Sequence, residues 1–198
     1  MTTSNFSPSA VGWTAIAVGL IAILAVIFLT LMATVNMGFG KVNDVFNSLI
    51  GISSVVLAWM LYAEHHAKSP WMSQIGLFLA VFGAIFTIIG SILIIYGYTD
   101  FVLAGWYTGI GNALIGLWLA AFCYSMLSSD TLPHNLIVFG IVVGAFMAIG
   151  LIGISGIFAG IDGMDMPWYL YIAFFGWLGT YILYPIWTIW LGRILLQK

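Results

Sequence analysis

The stretch SPWMSQIGLFLAVFGAIFTIIGSILIIYGYT, residues 69–99, runs from Lys68 to Asp100 without one charged side chain. About 20 apolar residues in a helix suffice to cross the hydrocarbon core of a bilayer, so this segment predicts a membrane-spanning helix. Five more uncharged runs surround it, at 1–40, 45–63, 101–129, 131–161 and 166–192. Even the shortest, 45–63, rises about 28 Å as a helix. Random placement of ten charges would not leave six such intervals. The expected fold is therefore all-α: a polytopic integral membrane protein with six transmembrane helices in a compact bundle.

Composition points the same way. The 198 residues are 63% hydrophobic and 5% charged, with a mean hydropathy of +1.16. A soluble domain carries about 25% Asp, Glu, Lys and Arg, so this chain lacks the charge to cover a water-facing surface. Its expected surroundings are the lipid bilayer. With a net charge of −2 and no basic patch, nothing suggests nucleic acid. Cys123 is the single cysteine, which excludes an intrachain disulfide. The polar leader, without Lys or Arg, precedes an apolar run longer than a signal peptide's core, and predicts a retained first helix.

Turn residues divide the chain into helices at roughly 11–35, 46–66, 72–98, 101–127, 135–160 and 168–196, forming one membrane domain over 1–198. Gly38, Gly40, Asn43 and Asp44 read as the first loop, Pro70 as a stop after helix 2, and Pro133 and Pro167 as punctuation before helices 5 and 6. Lys68, Arg193 and Lys198 fall on the side of the N-terminus, and only Lys41 on the other. The excess of basic residues predicts cytoplasmic termini, and the compact layout a bacterial plasma membrane. Trp and Tyr favour the headgroup level, which suits Trp13, Trp59, Trp71, Tyr124, Trp187 and Trp190 at inner ends and Tyr96, Tyr98, Trp106 and Trp168 at outer ends. Similar motifs around Trp59, Trp118 and Trp190 raise the idea of three hairpin repeats.

Helices in lipid associate through small residues and hydrogen bonds. Gly76, Gly83, Gly90 and Gly97 recur every seven residues in helix 3. Gly105, Gly109 and Ala113 in helix 4, and Gly140, Gly144, Ala148, Gly156 and Gly160 in helix 5, recur on a four-residue repeat. These read as packing grooves. Pro185 interrupts helix 6 and predicts a kink, or a hinge, near Tyr181.

Few residues suggest chemistry. None of the ten charges reads as lying mid-helix, which argues against proton- or sodium-coupled transport and most hydrolases. The outward acids Asp44, Asp100, Asp162 and Asp165 could attract cations, but read as a solvated loop face. Asn112, near the middle of helix 4, is the deepest polar side chain; it is expected to bond Thr87 or Ser91 of helix 3, or to line a polar cavity. His65, His66 and His134, with Glu64 and Asp130, form the weak candidate for a metal or haem. Adjacent histidines on a helix point about 100° apart, so neither a metal nor another cofactor is expected.

The leading functional expectation is a non-catalytic accessory, scaffolding or sensory subunit, working through helix packing with a membrane protein partner or as a homo-oligomer. The alternative is a transporter or binding protein for a small neutral or apolar molecule, using Asn112 and Pro185. An enzyme built on the histidines stands third.

Overall fold

Ser7 accepts a hydrogen bond from the Ala10 amide and Pro8 occupies the first turn, so the first helix starts with two standard N-terminal signals. The computed structural model describes residues 6–65, 70–129 and 131–198, without the side chains of Glu64 and His65. Its helices are α1 (Pro8–Thr34), α2 (Phe39–His65), α3 (Pro70–Ile95), α4 (Phe101–Ser125), α5 (His134–Phe158) and α6 (Trp168–Leu196). All six are long and apolar enough to cross a membrane, and the described residues contain no strand.

Consecutive helices pack side by side, and α6 closes back on α1, so the six form a ring, with further contacts across it between α2 and α4, α4 and α6, and α2 and α6. One end gathers both termini. Phe6 packs on Trp59 near the end of α2 (ring centroids 5.2 Å apart), and Lys198 Nζ donates to the Thr131 carbonyl at 2.6 Å. The loops before α2, α4 and α6 form the far end.

Glycines set the closest approaches in the ring. A Cβ on Gly83 would stand 2.6 Å from the Gly111 carbonyl oxygen, and one on Gly111 would stand 2.5 Å from that of Gly83. Gly144 and Gly116 face each other in the same way between α5 and α4, as do Gly192 and Gly12 between α6 and α1. Backbones this close exchange many dispersion contacts, the main attraction left when lipid already solvates apolar side chains. The seven-residue seam of α3 packs on α4 through Gly76, Gly83 and Gly90. Gly97 does not join it: it lies past the end of α3 at φ 72° with open space around it, a turn glycine.

Three expectations need correction. Helix 2 begins at Phe39, seven residues before the predicted 46, so Asn43 and Asp44 are helical rather than loop residues. Asn-Asp favours turns only while its side chains bond locally; here the Asn43 amide bonds the Ala25 carbonyl of α1 at 2.8 Å. The four-residue stripe of α5 is broken by a 3-10 segment at Ile149–Gly153, which turns Gly150 and Gly153 inward in place of Ala148. Finally, Trp106 and Trp187 are not interfacial anchors. Both are buried, donating to the carbonyls of Ile161 (3.1 Å) and Leu136 (3.2 Å). The three Trp of the supposed repeat also differ, since Trp118 is buried against Gly76 while Trp59 and Trp190 face outward.

Candidate functional site: a polar cluster inside the ring

The far-end half of the bundle encloses polar side chains from four helices. Asp44 lies five residues into α2 and Thr108 seven residues into α4, depths of about 8 and 10 Å from their helix starts. Asn112 is one turn further along the same face of α4, about 16 Å in and near its middle. Asn43 and Asn47 are 2% exposed, Asn112 3%, and Asp44 and Thr108 6%.

A chain of hydrogen bonds ties this cluster together. Tyr181 of α6 donates its hydroxyl to Asn47 Oδ1 at 2.8 Å. Asn47 donates to Asn43 Oδ1 at 3.0 Å, and Asn43 to the Ala25 carbonyl of α1. Ser91 of α3 donates to the backbone carbonyl of Asp44 at 2.6 Å, sharing its proton with the Thr87 carbonyl. Two turns along α2, Ser54 pairs with Tyr184 of α6 at 2.9 Å. Helix α2 is thus latched to α1, α3 and α6 through buried polar groups.

Pro185 explains how Tyr181 reaches inward. Lacking an N–H, it cannot bond the carbonyl four residues back, and the preceding segment Gly179–Leu183 widens into a π turn. Such turns shift side chains off the regular helical register and recur at functional sites. This one presents Tyr181 to Asn47, while Pro185 itself is buried.

Three buried side-chain oxygens among the described residues have no hydrogen-bond partner: Asp44 Oδ2, Thr108 Oγ1 and Asn112 Oδ1. Asp44 and Thr108 line one cavity with Asn43, Asn47, Gly105 and Tyr181, walled by Trp177, whose indole lies over Gly105 and Gly109. The cavity measures about 10 Å³, room for one water-sized body.

The candidates read from the sequence fare differently from one another, and the strongest feature lies elsewhere. Asn112 does not bond Thr87 or Ser91, because those hydroxyls are taken by carbonyls of their own helix and of α2; its oxygen is left open. His134 is exposed in the first turn of α5, whereas His66, Asp130 and the side chains of Glu64 and His65 lie outside the described residues. No group of three His, Cys, Asp or Glu side chains that could hold a metal occurs among the described residues. Asp44, expected on a solvated loop face, is instead buried in the second turn of α2, a helix long and apolar enough to cross a membrane. Its signal lay in the spacing of Asn43, Asp44 and Asn47, which puts 43 and 47 on one helical face. Compared with known protein families, with curated proteins and with solved structures, the chain matches none.

Proposed function

We propose that the chain is a non-catalytic integral membrane protein of a bacterial plasma membrane, with cytoplasmic termini, that binds or carries a small ligand at the Asp44 cluster. One observation carries this reading: a carboxylate oxygen is buried among apolar helices with nothing to satisfy it. Burying an ionised carboxylate costs several kcal/mol unless something compensates it, so a fold gains no stability by keeping it. Ionisable groups at such depth mark ligand and ion paths. Arg193 and Lys198 at the end that holds both termini support the orientation.

The reading predicts that Asp44→Asn stabilises the protein. In detergent at alkaline pH, where a carboxyl is ionised, its thermal midpoint should rise by about 3–8 °C over the parent in ligand-free buffer. A fall would mean that the carboxylate serves the fold, and would remove the binding reading. Topology is checked separately by reporter fusions at Gly163 and at the C-terminus, with the C-terminal reporter expected on the cytoplasmic side.

The accessory-subunit reading is favoured by a different feature. An apolar groove of about 490 Å³ runs along α6 beside α1, lined by Ile23, Val26, Ile182, Ile186 and Trp190 among others. A partner's helix would fit it. Native mass spectrometry of gently extracted protein tests this: a stoichiometric assembly supports the subunit role, and a lone chain argues against it.

A further inference from the structure

We infer that the ligand of the Asp44 cavity is one small, hard monovalent cation of the sodium kind, held largely dehydrated between α2 and α4. This rests on the binding reading above and names its ligand. Three properties of the cluster converge on that class.

The first is the sign of the open positions. Each unpartnered buried side-chain atom among the described residues is an oxygen able to accept or coordinate: the Asp44 carboxylate Oδ2 and the Thr108 hydroxyl Oγ1 at the cavity, and the Asn112 amide Oδ1 one turn beyond. The neighbouring donors are already directed elsewhere, with Tyr181 on Asn47, Asn47 on Asn43 and Asn43 on Ala25. An anion would be repelled by the carboxylate, whereas a cation finds three unspent oxygens.

The second is charge. One carboxylate neutralises one positive charge, and Lys41, three residues earlier, points out to the exposed surface. A divalent ion would keep a net charge in a medium that cannot solvate it, and calcium takes six to eight oxygens with several carboxylates among them. Zinc and its relatives take three or four His, Cys, Asp or Glu ligands, and the described residues assemble no such group.

The third is size. A cavity of about 10 Å³ takes a single water-sized body. That leaves no room in this cavity for an organic molecule and suits an ion that has shed most of its hydration shell. Asp44, Thr108 and Asn112 descend from the far end toward the middle of the bundle, so the same oxygens would grade entry from that side.

The test is a salt titration of thermal stability on the full chain in detergent at pH 8, read by tryptophan fluorescence because Trp177 walls the cavity. Ionic strength is held constant with choline chloride while sodium chloride replaces it. Binding to the folded state alone raises the midpoint in a saturating way, so a rise of several degrees with sodium, a smaller one with potassium and none with choline is expected. Asp44→Asn should abolish the sodium dependence while keeping a cooperative transition, and Thr108→Val should weaken apparent sodium affinity about tenfold. Superimposable curves in sodium and choline would overturn the cation assignment and leave water as the occupant. If Asp44→Asn still melts above the parent in choline chloride alone, the binding reading survives that result; if it melts below the parent there, both fall. Stabilisation by calcium in preference to sodium would equally overturn the single-charge argument.

Discussion

Gly111→Ala is expected to lower the thermal midpoint by about 5–10 °C, although it adds one methyl group. A Cβ there would stand 2.5 Å from the Gly83 carbonyl oxygen and 2.7 Å from the Thr87 backbone nitrogen. No side chain can swing aside to make room, because two of the obstructing atoms belong to backbone. The helices must separate instead, which forfeits dispersion along the tightest seam of the ring. Overpacking of this kind costs about 1–3 kcal/mol, and about 2–4 °C accompany each kcal/mol in a domain of this size. Gly163→Ala is the control, since nothing lies within 4 Å of the added atom and its φ is ordinary. Melting curves of both variants decide the matter: equal midpoints would show that α3 and α4 are not held by glycine contact.

Asn47→Leu is the second large effect, a loss of about 2–4 kcal/mol. Interhelical hydrogen bonds in lipid contribute only about 0.6 kcal/mol on average, so the two lost bonds are the lesser part. What decides is the pair of groups left behind. The Tyr181 hydroxyl and Asn43 Oδ1 would lose their partners in a buried interior, at about 1–3 kcal/mol each. Tyr181→Phe removes one of these stranded groups in advance. The double variant should therefore lose less than the sum of the singles, with a coupling of about 1 kcal/mol or more. Strict additivity in that cycle would show that Tyr181 and Asn47 do not interact.

The helix count was legible because charge is so scarce: ten charged residues leave six uncharged runs, each long enough to span, even though Lys41 and Asp44 fall inside α2. The glycine seam of α3 was legible too, as a seven-residue period keeps small residues on one side of a helix. The four-residue stripe of α5 misled, because the 3-10 segment changes the angle per residue halfway along and no local signal announces it. Trp106 and Trp187 misled for a related reason: position along a helix indicates depth, and only the neighbouring helices decide whether an indole meets lipid or a carbonyl.

The start of α2 is where the two levels part. Gly38, Gly40, Asn43 and Asp44 carry turn chemistry, and that preference is worth only some tenths of a kcal/mol per residue. In the folded ring the Asn43 amide meets the Ala25 carbonyl, Asn47 meets Tyr181, and Ser91 holds the Asp44 backbone. These partners lie 18, 134 and 47 residues away in sequence, beyond the reach of any local pattern. Sequence by itself determined that six apolar helices form, where charges bound them and how small residues let them approach. Only the tertiary structure decided that Asp44 lies inside them, because burial is a property of what surrounds a residue, and its surroundings come from four helices at once.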